Sequence, residues 1–472
     1  MAEKIKVGDV VVLLPGILGS VLQVDGHDVW APSKGALLRG IISLGRNVKN
    51  LELQPDDDVD KDDLGDGVTA PRLMPDIHLV PRFWKIDGYS KIREVLTNRF
   101  DLTPGSNWFD FPYDWRRDNR VAARQLAEQA PAWLEAWKAK SGNQDAKLVL
   151  LGHSMGGLVA RAFLELYDGW KITRSLITFG TPYRGAVNAL DFLANGVKKG
   201  VGPFKLDLTR LLGSMTSVYQ LCPVFPCVDV GDGTLVHAHT TDGLPDGIVR
   251  ERLVAAREQF HDAIAKSAEA NGPARYAIHP VVGIFQPTLS SATLIGREFE
   301  SIGATGDDGG DGTVPRVSAT PIELADQPVG TFVTDKHGSL QNVDSVLTQV
   351  AGVLTFKPSM HARDLFSGFE LDLPDVVSPG DEVRFSAATM GSSNEVTADV
   401  IDADSDRPVQ SATVKADSEG RFVGALPPLA PGVYRFTLRD ASVANLDPVT
   451  DLFVVADDST ESDPDRPARV YE

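Results

Sequence analysis

Residues 147–168, KLVLLGHSMGGLVARAFLELYD, decide how the chain is read. Residues 147–151 are a short apolar run with the character of a buried strand. They lead directly into Gly152-His153-Ser154-Met155-Gly156, which fits G-x-S-x-G. Beyond it Leu158, Val159, Ala162, Phe163 and Leu166 recur at helical spacing on one face. Strand, sharp turn and helix with a serine at the apex make a nucleophile elbow. The glycines are there for steric reasons. A side chain at either flanking position would collide with strand or helix, and the strained corner holds the Ser154 hydroxyl out at the top of a sheet. The alternative, an N-cap serine in an ordinary strand-to-helix turn, does not need those glycines.

Upstream, residues 9–14 (DVVVLL) read as a buried strand opening into Pro15-Gly16-Ile17-Leu18-Gly19. An α/β-hydrolase keeps half of its oxyanion hole in such a loop, so the N–H of Ile17 is one candidate donor. The N–H of Met155, next to the serine, is the second. Residues 175–180, 278–285 and 331–334 read as further strands. Helices are expected at 87–100, at 120–139 (where Pro131 should kink or split it), at 251–271, and in a last segment ending near Val353. This alternation predicts an α/β fold of α/β-hydrolase type, a doubly wound, mostly parallel sheet with a cap over residues 194–225.

Such a fold orders its site serine, acid, histidine along the chain. The histidines after Ser154 are His237, His239, His261, His279, His337 and His361. His337 alone sits after the last expected sheet strand and before the closing helix, which makes it the candidate general base. The acid is sought in GATGDDGGDGTVP, among Asp307, Asp308 and Asp311. Asp311 is preferred because it lies hard against a segment that can fix it, where it would hold the imidazole tautomer and stabilise the imidazolium. His153 cannot fold back onto the neighbouring hydroxyl and is read as a structural residue of the elbow.

The chain of 472 residues has room for two domains, and 42% hydrophobic with 24% charged residues is ordinary for a soluble globular protein. No apolar run is long enough to span a bilayer, and the first residues, MAEKIKVGDVVVLLPG, lack the parts of a signal peptide, so a cytoplasmic location is expected. The net charge of −19 argues against nucleic-acid binding. It is unevenly held: residues 365–472 carry 21 acidic against 8 basic side chains, and all seven tryptophans precede them. Two differently composed modules therefore meet near residue 365.

Cys222 and Cys227 are expected as free thiols, though they stand close enough to pair across a tight loop. Their spacing fits no zinc site, and no metal or cofactor is expected. Asp58, Asp60 and Asp62 imitate the start of a calcium loop. However, Asp63 stands where glycine is required and Thr69 where glutamate is, so a solvated acidic loop is the better reading. Lys198, Lys199, Lys205 and Arg210 interleave with Leu206, Leu208, Leu211 and Leu212. That pattern fits either peripheral contact with an anionic membrane or cap helices with the leucines packed inward.

Beyond Met360, residues 382–388, 396–401, 412–416, 422–425, 433–438 and 450–455 are short alternating strands separated by turn signals. The expected organisation is a catalytic domain at 1–360, an immunoglobulin-like β-sandwich at 365–456 and a disordered acidic tail at 457–472. The sandwich shows no cluster of nucleophile, base or metal ligands and is read as a packing or binding module, with a protein partner as one use.

In order along the chain stand VVLLPGILGS, Trp30, GYSKI, PYDWRR, LLGHSMGGLVAR, FGTPYRGA, SVYQLCP, GIFQPTL, GDGTVP and KHGSL. This set resembles the lecithin:cholesterol acyltransferase and lysosomal phospholipase A2 family over roughly residues 9–353, and PYDWR and GDGTVP are far more specific than the serine motif. The resemblance implies a Ser-Asp-His triad on Ser154, Asp311 and His337, oxyanion amides on Ile17 and Met155, and activity on the ester-linked acyl chains of lipids. The disulfide-closed lid of the secreted members has no counterpart, because no cysteine precedes Cys222. The all-β module lies outside the family pattern. The function expected is a serine hydrolase or O-acyltransferase of lipid acyl esters, that is, a phospholipase, lipase or acyltransferase. The alternatives are a soluble carboxylesterase on smaller or polymeric esters and a binding protein with a decayed hydrolase.

Overall fold

The computed structural model describes residues 4–31, 51–53, 57–74, 78–80, 84–86, 88–196, 198–199, 206–271, 275–306, 308–324, 330–355, 368–389, 393–418, 420–440, 446 and 448–456. The expected module boundary near 365, the tail at 457–472, Lys205, Asp307 and His361 lie outside the described residues.

Six strands form one sheet in the spatial order Thr331–Val333, Ala277–Gly283, Thr173–Phe179, Leu148–His153, Val10–Leu14, Trp108–Asp110, and every neighbouring pair is parallel. Val10–Leu14 and Leu148–His153 are buried at every position. This is why they are apolar runs with no alternation: a parallel strand is covered on both faces. The elbow helix Met155–Leu166 packs against the long helix Asn119–Ser141 and against Asp262–Asn271. The result is the α/β-hydrolase fold. Strand order reverses at Val10–Leu14: the chain first adds Trp108–Asp110 on one side, then Leu148–His153 on the other and builds away from there. The carboxyl ends of strands open a crevice at such a reversal. Leu14 and Gly152 stand in register there, so the loop at Gly16-Ile17 and the turn at Ser154 leave the sheet side by side.

Two expectations about secondary structure are corrected. Pro131 does not split its helix, which runs as one element of 23 residues from Asn119 to Ser141, with Asp118 accepting from the N–H of Arg120 and Gly142 closing it in the left-handed region. The proline lies on the exposed side, where the carbonyl it leaves unpaired can meet water, while Val121, Ala123, Leu126, Ala130 and Leu134 hold both halves to the core. The strand expected at 278–285 ends at Gly283. Phe285 then takes φ 72°, and the chain swings into a long antiparallel hairpin, Phe285–Ile295 with Glu298–Gly306. In the basic-apolar stretch Leu208, Leu211 and Leu212 are buried, and Arg210 pairs with Glu52 at 3.1 Å. Those leucines therefore pack inward. Cys222 and Cys227 are both free and buried, and burial pushes the Cys227 thiol up to about 12.

The acidic loop is less open than a solvated loop. Arg117, almost fully buried, binds the Asp57 carboxylate at 2.9 Å and donates to the carbonyls of Asp58, Lys61 and Asp62. Its neighbour Arg116 is buried between Asp114 and Asp66. A buried guanidinium holds its place only when its donors are satisfied in this way, so the loop wraps onto the arginines.

The C-terminal region is all-β. Among the described residues, eight strands from Phe369 to Val455 make sheets of three and five strands, and both contribute to one core that includes Phe369, Phe385, Phe422, Phe436 and Phe453. Its first two strands, Phe369–Asp372 and Val376–Val377, fall where the sequence shows no alternation long enough to read.

Candidate active site

The elbow is built as tightly as its glycines require. Ser154 has φ 52°, a left-handed conformation that a non-glycine residue holds only under constraint, and its N–H is tied to the Phe179 carbonyl at 2.9 Å. A Cβ on Gly156 would stand 2.5 Å from the carbonyl oxygens of Leu14 and Pro15, and one on Gly152 would meet Gly157 at 2.7 Å. The close approach of Gly156 brings the loop after the first strand against the start of the elbow helix.

Ser154 Oγ lies 2.9 Å from His337 Nε2, and His337 Nδ1 lies 2.7 Å from Asp311 Oδ2. The other carboxylate oxygen of Asp311 accepts from the N–H groups of Thr313 at 2.9 Å and Val314 at 2.7 Å, and the Asp311 carbonyl accepts from the His337 N–H at 2.8 Å. All three residues are almost fully buried. With Asp311 accepting from Nδ1–H, Nε2 is left as the acceptor for the serine proton, so the arrangement can make an alkoxide-like nucleophile at Ser154. Asp308 is exposed and stands apart from this path. His261 donates to the Gln220 carbonyl at 2.8 Å, and burial pushes it down to about 4; His279 lies within a sheet strand.

Ile17 lines a cavity beside Ser154 whose walls are almost entirely apolar, with Pro182, Ala189, Phe192, Val218, Leu221 and Val314 among them. Met155 is buried as the first residue of the elbow helix. Among the described residues no group of three or more His, Cys, Asp or Glu is placed to hold a metal ion.

In the sequence His153 reads only as part of the elbow; in the structure its ring links both sides of the site. Burial, followed by the charge of nearby His337, pushes it down to about 3, so the ring is neutral. Its Nε2–H donates to the His337 carbonyl at 3.1 Å, which leaves Nδ1 to accept from the Tyr89 hydroxyl at 3.0 Å. The same hydroxyl accepts from the N–H of Gly16 at 2.8 Å. One buried relay thus joins the loop that carries Ile17 to the backbone of His337. PYDWRR supports the same loop from outside, with the Tyr113 hydroxyl donating to the Pro15 carbonyl at 2.7 Å and Trp115 Nε1 to the Ser20 carbonyl at 3.0 Å. The GYSKI and PYDWRR motifs were the signal for these residues, but only tertiary structure tells what they touch. Tyr89→Phe leaves a buried Gly16 N–H and a buried His153 nitrogen without this partner. It is expected to lower kcat about tenfold and to destabilise the protein by about 1–3 kcal/mol, as measured by initial rates and denaturant unfolding. Rates and stability equal to the unmodified protein would show the relay to be idle.

Residues 83–246 match the model of the family described as lecithin:cholesterol acyltransferase; the match contains Ser154 and Met155 and ends before Asp311 and His337. The chain is similar to lecithin-cholesterol acyltransferase-like 4 of Arabidopsis thaliana, with 28% identity over 241 residues, covering 46% of this chain and 43% of that protein. It is also similar to phospholipase A(1) LCAT3 of the same plant, with 29% identity over 126 residues, 25% of this chain and 27% of that one. These matches span less than half the length of either relative. A lipase of Bacillus licheniformis, solved in its propeptide form, aligns over 94% of this chain and 93% of its own at 12% identity, with a TM-score of 0.32. The fold rests on the sheet order, and over residues 83–246 the chain is similar in sequence to the lecithin:cholesterol acyltransferase family.

Proposed function

We propose that the protein is a serine-dependent acyl ester hydrolase or O-acyltransferase acting on lipids. The observation that carries the reading is the continuous buried path from Ser154 through His337 to Asp311, at 2.9 and 2.7 Å, opening beside an apolar cavity. Ser154 Oγ attacks the ester carbonyl while His337 Nε2 takes its proton, and Asp311 stabilises the imidazolium. The amides of Ile17 and Met155 are the donors toward the oxyanion. The tetrahedral adduct collapses with the alcohol leaving on the proton returned by His337, and an acyl-serine remains. Water, or a second alcohol, then takes the acyl group by the reverse sequence.

The apolar walls beside Ser154 favour an acyl chain over a small polar acid. The all-β region is read as an immunoglobulin-like sandwich, on the support of its two sheets over one aromatic core. The test compares phospholipid vesicles, zwitterionic and anionic, with short soluble esters, counting free fatty acid and any transferred acyl product. Preference for long-chain lipid, with release lost in Ser154→Ala, is the expected result. Turnover confined to short esters would replace the lipid reading with that of a soluble carboxylesterase.

A further inference from the structure

The acid loop, the histidine loop and the all-β domain converge on one side chain, Gln286. It is fully buried and directly follows Phe285, whose φ of 72° is the backbone strain that aims it. Its backbone exchanges hydrogen bonds with Gly310, at 2.9 and 3.0 Å, one residue before Asp311. Its side-chain amide donates to the carbonyl of Thr334, three residues before His337, and to that of Phe369, in the first strand of the all-β domain, both at 2.8 Å. Its side-chain carbonyl accepts from the N–H of Leu371 at 3.3 Å. Both donors and one of the two acceptor lone pairs of its side-chain amide are thus committed to the histidine loop and the all-β domain, in a place where a lost partner is costly.

The all-β domain grips the histidine loop at further points. Gly368 passes so close to Thr334 that a Cβ there would lie 1.5 Å from its hydroxyl. The Asp335 carboxylate accepts from the Thr450 N–H at 3.4 Å, and the Lys336 ammonium stands 3.9 Å from the buried Asp451 carboxylate. Thr334, Asp335 and Lys336, the three residues before His337, therefore each meet the all-β domain.

We propose that the all-β domain is a working part of the catalytic centre, and that Gln286 is a positioning residue through which it sets the His337 ring against Ser154. The proposal rests on the reading of His337 as general base. It is tested in the full chain with Gln286→Ala beside Val400→Ala, which trims the core of the same domain in a central strand, Glu395–Asp402. kcat and KM on a soluble ester, the rate of Ser154 labelling by a fluorophosphonate, and thermal unfolding are measured for each. Gln286→Ala is expected to lower kcat and labelling by about 10–100-fold with KM within about twofold, since small misplacements of a reacting group carry costs of that size. Val400→Ala is expected to lower the Tm while kcat stays within about twofold. A folded Gln286→Ala with unchanged kcat overturns the proposal, as does a Val400→Ala that loses kcat equally. If Gln286→Ala does not fold, Lys336→Met takes its place, with a kcat loss of at least about threefold expected and an unchanged kcat decisive against. His337→Ala separates the two levels. Full activity in that variant removes the underlying reading, whereas loss there with none in Gln286→Ala removes the positioning role alone.

Discussion

Ser154→Ala is expected to lower kcat by about 10⁴–10⁶-fold on every ester the protein turns over, with its Tm held within a few degrees. The rate effect follows from losing the atom that forms the acyl-enzyme, since His337 then has no bound hydroxyl to deprotonate. The stability effect is small for a local reason. The left-handed φ of 52° at Ser154 is imposed by the turn, and alanine meets the same strain without adding to it. The backbone tie of that residue to the Phe179 carbonyl survives, and one side-chain hydrogen bond to His337 is lost. Initial rates, acyl-enzyme bursts and thermal unfolding measure both halves. Near-normal turnover in this variant would end the nucleophile reading.

Asp311→Asn is expected to cost about 10³–10⁴-fold in kcat with little change in fold. The size comes from which atom must remain an oxygen. Two backbone N–H groups, of Thr313 and Val314, point at one position of the Asp311 carboxylate. In the asparagine variant that position keeps the carbonyl oxygen, so the NH2 group faces His337 Nδ1. A donor there draws the imidazole proton to Nε2, directly at Ser154 Oγ, and the ring can no longer accept the serine proton. Proton NMR of the imidazole alongside kcat checks both the tautomer and its consequence. A loss below about tenfold would remove Asp311 from the role.

The parts of this molecule that were legible in the sequence are those whose cause is local. The strands at Val10–Leu14 and Leu148–His153 are buried at every position and open as apolar runs because both faces of a parallel strand are covered, and the elbow announces itself because only glycine fits against Leu14 and Pro15. Ser154 and His337 could be nominated because each sits in a short motif at the end of a readable strand, and Asp311 because it stands in GDGTVP between them in chain order. The edge strand Trp108–Asp110 has three residues, too few for any period to register. The hairpin after Gly283 alternates unevenly, since bulges interrupt its register, and the break at Phe285 depends on a φ that phenylalanine does not advertise. The side chains of Tyr89, His153, Arg117 and Gln286 act through partners 48 to 184 residues distant, and nothing in a linear pattern marks such a pair.

The distance along the chain between Ser154 and His337, 183 residues, also has a meaning in time. A ribosome adding about 5–20 residues per second needs roughly 10–40 s to pass from one to the other. If Ser154 and His337 act as proposed, a nascent chain carries through that interval the elbow serine without its base, and the residues that grip the histidine loop, from Gly368 to Asp451, arrive later again. A fragment released early by stalling or a premature stop would own the nucleophile and lack the means to activate it. On the proposed triad, reactivity is thus withheld until the segment through Asp451 has been made.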